Sequence, residues 1–428
     1  MKQTLLTENH MTDPQSDSQF LSVAQAQTWI QEHIAAITDT EELDLKSALG
    51  RVLAIDILSP IDVPAHHNSA MDGYAFHGAQ LIANHDLNLE IVGEAYAGHP
   101  YTKPVLPGSC IRIMTGAVMP RSCDTVVPQE LTTRLKDTAI AIPANKLRQG
   151  DNCRLRGEDL ALGKLAIAKA KRIGPAELGL LASLGIARVT VQRRLKVAYF
   201  STGDEIRSLG QTLDAGCIYD SNRYTVYGML SRLDCDIVDM GVIEDSPEAL
   251  EQALRTACVQ ADAIITSGGV SVGAADYTRQ VMAQLGQVAF WTINMRPGRP
   301  MAFGKIHADG SSAYLFGLPG NPVAVMVTFY FFVQQALQQL IGADEKPALL
   351  IPAISRDVIR KRQGRTEYQR GIASRNLQGQ LEVVVTGSQG SGVLRSMSEA
   401  NCMIILDDEQ GNIEAGGIVN ILLFEGLC

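Results

Sequence analysis

Ser267, Gly268, Gly269, Ser271 and Gly273 follow directly on a strand-like run, Ala261-Asp-Ala-Ile-Ile-Thr266. Glycine lets backbone N–H groups approach a ligand with no Cβ in the way, and the two serines add hydroxyl donors. A helix predicted to begin near Asp276 turns the positive end of its dipole toward the same place. This is the chemistry of a phosphate or oxyanion cradle at the carboxyl end of a strand. The run has no Walker lysine and no complete dinucleotide fingerprint, which argues against plain ATP or NAD as the ligand.

Two further segments share this setting. Ser201-Thr202-Gly203-Asp204-Glu205 follows the run Val197–Phe200, and Leu318-Pro319-Gly320-Asn321-Pro322 follows Ala313–Phe316. Asn321 is expected to cap a helix and Pro322 to take its first position. Singly these are an ordinary acidic turn and an ordinary helix start; together at one edge of one sheet they mark a ligand site. Carboxylates beside a phosphate cradle point to a divalent cation, and Glu205, Asp245 and Asp276 are the candidate ligands. Arg296 and Arg299, three residues apart on a Pro-Gly turn that ends in Pro300, are placed to clamp a tetrahedral oxyanion. The basic stretch from Arg356 to Arg370 reads mostly as a solvated hairpin face. Asn68 to Tyr74, Arg112 to Gly116 and Arg154 to Asp159 are polar turns flanked by glycine, and His66 and His67 lack a third ligand at metal spacing.

The elements that must position these loops are legible as a pattern. Strands Val197–Phe200, Ile237–Met240, Ala263–Thr266, Val288–Ile293 and Ala313–Phe316 alternate with helices Asn222–Leu233, Pro247–Val259 and Tyr277–Leu285. Such alternation predicts a doubly wound, mostly parallel α/β sheet over residues 191–345. Residues 58–159 show short β-like runs broken by Pro, Gly and Asn, which predicts an inserted β-rich domain. A helical N-terminal part, residues 19–57 with 160–190, surrounds it; its first helix spans the periodic stretch from Phe20 to Ile37, with Ser22 as cap. Residues 346–428 predict a small C-terminal β-barrel or sandwich, and residues 1–18 read as a disordered tail.

Composition narrows the function. The 428 residues carry a net charge of −9, which argues against a nucleic-acid partner, since phosphate-backbone binding needs a basic face. The eight cysteines are scattered with no Cys-x-x-Cys pair, so neither a zinc site nor a disulfide framework is expected and a reducing cytoplasm is the expected compartment. The polar N-terminus does not resemble a secretory signal, and the most apolar helix candidate, Val323 to Leu340, is interrupted by glutamines and reads as too short for a bilayer, so no membrane segment is expected.

The motifs Asn-Ser-Ala-Met-Asp72-Gly-Tyr-Ala, Ile-Met-Thr115-Gly-Ala, Arg-Gly-Glu-Asp159, Ser-Thr-Gly-Asp-Glu205, Ser-Gly-Gly-Val-Ser271-Val-Gly and Leu-Pro-Gly-Asn-Pro322 together resemble the molybdopterin molybdenumtransferases of molybdenum cofactor synthesis, which are similar to the C-terminal domain of gephyrin. The resemblance implies an elongated homodimer whose doubly wound domain binds molybdopterin. It implies insertion of molybdenum from molybdate into adenylylated molybdopterin, with Mg²⁺-dependent hydrolysis of the adenylate to AMP. It further implies contacts with the molybdopterin adenylyltransferase and with recipient molybdoenzymes. On this resemblance Asp72, Thr115, Glu205 and Asp276 are catalytic, and Asp72, Thr115 and Asp159 reach a site shared with the partner subunit. Ser201, Thr202, Gly203, Ser267, Gly268, Gly269 and Ser271 bind substrate, as do Asp159 and Pro319, Gly320, Asn321 and Pro322. Arg296, Arg299, Pro300, Arg370 and Ser391 bind molybdate, while Glu205, Asp245 and Asp276 hold the metal.

Two departures from the family pattern leave the oxyanion open. Many relatives carry lysines where this chain has Arg296 and Arg299, and a serine where it has Ala324. Tungstate is therefore a rival oxyanion, and a non-catalytic cofactor-binding or scaffold role a rival function. A nucleophile elbow at Gly269-Val-Ser271-Val-Gly273 would need a downstream histidine; the only one is His307, in an expected hairpin turn.

Overall fold

Val197, Ala198, Tyr199 and Phe200 are all buried, as is every residue from Ala263 to Ser267. Unalternating burial means a strand covered on both faces, and these two strands are neighbours inside a six-stranded sheet. The computed structural model describes residues 20–269, 276–344 and 348–424. The tail 1–18, Ser271 and Gly273 lie outside the described residues. The chain forms two compact units, one of residues 42–49 and 53–190, the other of the remainder.

The larger unit opens with helix α1 (Val23–His33). Ser22 Oγ accepts from the Gln25 N–H, and the Gln25 side chain accepts from the Ser22 N–H, a reciprocal capping box. The sheet comprises β1 (Lys196–Thr202), β2 (Asp236–Ile243), β3 (Ala263–Ser267), β4 (Gly286–Thr292), β5 (Pro300–Ala308) and β6 (Ser311–Leu318), in the spatial order β2-β1-β3-β6-β5-β4. β2, β1, β3 and β6 are mutually parallel. β5 is antiparallel to β6 and β4, so β4 runs with the first four strands. Helices α2 (Ser221–Arg232), α3 (Pro247–Gln260) and α4 (Asp276–Leu285) join successive strands. The doubly wound fold is as the sequence predicts, with β5 as an addition. Pro300, Gly304 and Lys305 hide that strand in the sequence; Pro300 is its first residue, where proline is tolerated.

Helix α5 (Pro322–Leu340) passes the length and composition of a membrane span, so the sequence reading of it as too short is corrected. It is 67% buried within the protein. Val323, Val325, Val327, Phe329, Phe332 and Leu337 join the main core, which makes it the interior helix of a packed unit. Trp29 of α1 packs edge-on against Trp291 and Phe303 of the sheet at 4.9 and 5.7 Å, and Gln339 Nε2 donates to the Gln31 and Ile34 carbonyls.

The C-terminal strands are β7 (Ile351–Ser355), β8 (Thr366–Arg375), β9 (Leu381–Val385), β10 (Cys402–Leu406) and β11 (Ile418–Leu423). Their pairings run β8-β9-β7-β11-β10 and return to β8, a closed five-stranded barrel. β8 corrects the expectation of a solvated hairpin face at 356–370: Glu367, Tyr368, Gln369 and Arg370 are buried. The sequence misleads there because the buried charges are partnered, Glu367 by Arg365 at 2.9 Å within the same segment and Arg370 by Ser396 Oγ from farther along the chain.

In the smaller unit a six-stranded sheet runs in the order Thr125–Pro128, Gly73–Phe76, Ser109–Ile113, Leu87–Ala95, Ala139–Ile142, Thr133–Lys136. Tyr74 and Phe76 enter one apolar cluster and Ala75 another, as do Cys110 and Ile111 in turn. The period-2 alternation of strand side chains thus fills a core on each face. Helix Pro175–Ser183 lies where the sequence predicts it.

Candidate functional site

Strands β1, β3 and β6 end level, with Ser201 opposite Ser267 and Ser267 opposite Leu318. The loops that leave them are therefore forced together at the carboxyl edge, where doubly wound sheets bind ligands. They line an open cleft of about 860 Å³. Ser201, Thr202, Gly203 and Glu205 enter from β1; Ser267, Gly268 and Gly269 from β3; Pro319, Gly320, Asn321 and Pro322 from β6. Asp245, the turn Arg296, Arg299 and Pro300, and Ser391 also line it, whereas Asp72, Thr115, Asp159 and Arg370 do not. Asp276 opens α4 as expected; its side chain, like Ser271, lies outside the described residues.

The floor is tight. Gly268 has φ +92°, and a Cβ there would fall 2.4 Å from the Thr202 carbonyl oxygen, so only glycine lets the β1 and β3 loops touch. On the opposite wall Gly298, at φ +98°, brings the arginine turn against Thr328 of α5. Asn321 stands at the N-cap position of α5, but its side chain makes no capping bond, contrary to the sequence reading. The N–H of Val323 instead donates to the Ser391 carbonyl at 3.0 Å.

The cleft has two electrostatic poles. Glu205 and Asp245 supply carboxylates, and Asp245 Oδ1 accepts a short hydrogen bond from the Tyr277 hydroxyl. Burial and that carboxylate push the Tyr277 phenol up to about 12, so it stays a neutral donor. At the other pole Arg296 and Arg299 have no carboxylate partner within 4 Å among the described residues. The Arg299 guanidinium lies over the Phe20 ring, 5.1 Å from its centroid, a stacking that a planar fork favours over an ammonium. Arg365 also lines the cleft but is paired with Glu367.

Arg370 departs from its expected place as a direct wall residue. It is 1% exposed and lines a separate cavity of about 310 Å³ with Arg296 and Gln389. Its guanidinium donates to Ser396 Oγ and to the Ser388 and Gly390 carbonyls, holding the turn that carries Ser391. Burial, with the Arg296 charge second, pulls its pKa down to about 10.

Sequence reasoning overlooked Asp220 and Asn222. Both line the cleft, both are over nine-tenths buried, and Asp220 Oδ2 and Asn222 Oδ1 have no hydrogen-bond partner among the described residues. Asn222 Nδ2 fixes the Gly320 carbonyl at 2.7 Å, and Asp220 caps α2 through the Arg223 N–H. Topology was the available signal: a helix that follows β1 must start at the carboxyl edge.

In the smaller unit, Asp72 Oδ1 accepts from both the N–H and the hydroxyl of Thr115, each at 2.7 Å. These two bonds hold the Asp72 carboxyl below the usual carboxylate range. Asp159 is exposed on its loop. His307 pairs with Ser312 near the start of β6, at the sheet edge opposite the cleft. That placement removes the nucleophile-elbow reading.

A protein of this kind, with a doubly wound domain bearing a glycine- and hydroxyl-floored cleft, a C-terminal barrel and a separate β-rich unit, belongs to a class assembled from several modules, and comparison with known proteins identifies each. Residues 21–185 match the MoeA N-terminal region (domain I and II), residues 198–339 a probable molybdopterin binding domain, and residues 352–424 the MoeA C-terminal region (domain IV). A molybdopterin molybdenumtransferase from Haemophilus influenzae is 42% identical over 408 residues, 95% of this chain and 99% of that one. Gephyrin from Dictyostelium discoideum is 32% identical over 431 residues, 90% of this chain and 59% of that protein. The crystal structure of a molybdopterin biosynthesis moeA protein from Pyrococcus horikoshii OT3 superposes with a TM-score of 0.80 at 26% identity, covering 95% of this chain and all of that one. The chain belongs to the molybdopterin molybdenumtransferase family of enzymes, with a role in molybdenum cofactor biosynthesis.

Proposed function

We propose that this chain transfers molybdenum from molybdate into adenylylated molybdopterin and cleaves the adenylate, releasing AMP. The observation that carries the reading is a single cleft that combines a glycine and hydroxyl floor, the carboxylates Glu205 and Asp245, and the guanidinium groups of Arg296 and Arg299, which have no carboxylate partner within 4 Å among the described residues. The floor, Ser201 to Gly203 with Ser267 to Gly269, holds the phosphate or pterin part of the substrate, Pro319 to Pro322 form its wall, and Ser271, outside the described residues, is a further substrate-binding candidate. Asp159 is a further substrate contact. Arg296, Arg299, Pro300 and Ser391 hold molybdate, and Arg370 sets the turn beneath Ser391.

The donor set suits Mg²⁺. The ion takes hard oxygen ligands and is commonly held by only one or two carboxylates together with water and substrate phosphate. No group of three metal-competent side chains occurs among the described residues, but Glu205 and Asp245 suffice with Asp276 as the third candidate. Bound there, Mg²⁺ would neutralise phosphate charge. Water adds to phosphorus, the bridging P–O bond of the phosphoanhydride breaks, and AMP leaves. Asp72, kept ionised by Thr115, and Thr115 belong to the proposed catalytic set with Glu205 and Asp276, the first two contributed to a site shared with the partner subunit.

The reading includes a cytoplasmic homodimer that receives substrate from the molybdopterin adenylyltransferase and supplies recipient molybdoenzymes. The test is AMP release from adenylylated molybdopterin with Mg²⁺, with molybdate, tungstate or neither. Molybdate-stimulated release supports the reading, and release without any oxyanion dependence defeats it. The absence of a hydroxyl at Ala324 and the two arginines leave the oxyanion open, so tungstate is the second reading, which stimulation by tungstate alone would establish. Asp276→Asn is expected to fold normally and to lose AMP release.

A further inference from the structure

Behind the floor of the cleft lies a hydroxyl group that the reaction outlined above leaves unused. Tyr199 lies two residues before Ser201 on β1, so the two side chains share a face of the sheet. Ser267, on β3, is the register partner of Ser201. The three hydroxyls form a closed triangle: Tyr199 to Ser267 is 2.7 Å, Tyr199 to Ser201 is 2.8 Å, and Ser201 to Ser267 is 3.1 Å. All three residues are at least 97% buried, yet both serines line the cleft and Tyr199 does not.

The hydrogens of this triangle can be counted. Each hydroxyl brings one hydrogen and can accept others. The tyrosine hydrogen is confined to the interior and, among the described residues, has the two serine oxygens as its acceptors. Without a ligand, each serine can spend its own hydrogen inside the triangle. An anion at the floor draws both serine hydrogens outward, and the triangle opens with Tyr199 still donating to one serine. That serine, polarised by the bond it accepts, is the stronger donor for it. Without the phenol, a buried serine oxygen either loses its donor or takes the hydrogen of the other serine, leaving one donor for the ligand.

We infer that Tyr199 is a positioning residue that frees the hydroxyls of both Ser201 and Ser267 to donate to an anionic phosphate group of the substrate. Burial raises the phenol pKa well above its usual value, with the Asp220 and Asp239 charges adding to it, so the group remains a donor at any working pH. The inference rests on the adenylate reading only in its choice of ligand.

The test is equilibrium binding of AMP, with inorganic phosphate as a second ligand, to the wild type, Tyr199→Phe, Ser201→Ala/Ser267→Ala and the triple variant. Tyr199→Phe removes one oxygen and keeps the ring that packs in the core. It should weaken AMP binding about 3- to 10-fold, the range for one hydrogen bond. In the double-alanine background it should change nothing, because its effect passes through the serines. Unchanged affinity in the single variant, or an equal loss in both backgrounds, overturns the inference. A wild type that binds neither AMP nor phosphate also overturns it. A wild type that binds AMP and shows the coupling, but releases none from adenylylated molybdopterin, upholds Tyr199 and sinks the proposed reaction instead.

Discussion

Replacing Arg370 by methionine should cost little stability and much oxyanion response. The side chain is buried with no carboxylate within 4 Å among the described residues, and its pKa falls to about 10. At neutral pH the group is charged whether the chain is folded or not. A base with a depressed folded pKa carries a penalty that is present in full below that pKa and is relieved as pH rises through it. The depression corresponds to roughly 3 kcal/mol, at about 1.4 kcal/mol per tenfold. Opposing it are hydrogen bonds from a charged donor to Ser396 Oγ and to the Ser388 and Gly390 carbonyls, each worth about 1.5 kcal/mol or more net. Ser388 is exposed and Gly390 partly so, so water can take the place of the donor at both carbonyls. The two sums are of similar size, and Arg370→Met should lie within about 2 kcal/mol of the wild type, unlike a buried paired arginine, whose loss costs about 3–5 kcal/mol. Urea unfolding measures the first quantity. The second is the molybdate concentration for half-maximal AMP release, which should rise about 10-fold or more, because the turn carrying Ser391 loses its support. A destabilisation beyond about 3 kcal/mol would show that the hydrogen bonds outweigh the buried charge. An unchanged molybdate requirement in a folded variant would refute the link from Arg370 to the oxyanion.

Thr115→Val removes the Thr115 hydroxyl bond that helps hold the Asp72 carboxyl down, so the acid limb of the AMP-release profile should move to higher pH. The sign follows from the wild type, in which Asp72 stays ionised to lower pH than a free aspartate. Gly268→Ala places a Cβ 2.4 Å from the Thr202 carbonyl at φ +92°; it should lower the unfolding free energy by at least about 1–2 kcal/mol and abolish AMP binding. Arg296→Lys with Arg299→Lys should shift the ratio of molybdate-stimulated to tungstate-stimulated AMP release, since an ammonium is a point charge and not a fork; an unchanged ratio would mean that selectivity resides elsewhere.

The doubly wound sheet was legible because its signal is repeated. Alternating apolar runs and helical spacings at Val197–Phe200, Ala263–Thr266 and Pro247–Val259 all point to one topology, and topology then forces the three loops to one edge. What stayed hidden depended on partners distant in sequence. Arg370 looks like a solvent-facing charge until Ser396 and the 388–390 turn are seen around it. Tyr277 looks like an ordinary helix residue until its hydroxyl meets Asp245, thirty-two positions away. Tyr199 reads as one more apolar position in a buried strand, and only the register of Ser201 with Ser267 shows what its hydroxyl is for.

On the proposed reading, the oxyanion end of the cleft lacks the hydroxyl that a serine at position 324 would supply, and other donors line the same cleft. Ala324 lines the cleft without a polar atom on its side chain, and the neighbouring Val323 N–H is already committed to the Ser391 carbonyl, so the start of α5 offers an anion less than a bare helix N-terminus would. Asn321, however, has left its capping role and keeps its amide in the cleft, where it can donate in place of the absent serine. The two guanidinium groups add paired donors in a fixed plane, and Phe20 holds one of them. The chain's charge of −9 does not oppose this locally, because exposed charges are screened beyond about 8 Å at physiological salt, while Arg296 and Arg299 line the cleft itself. Ala324→Ser together with Asn321→Ala should therefore restore oxyanion binding that Asn321→Ala alone removes. If Asn321→Ala leaves the molybdate requirement unchanged, the arginine fork alone has replaced the hydroxyl and the amide is a bystander.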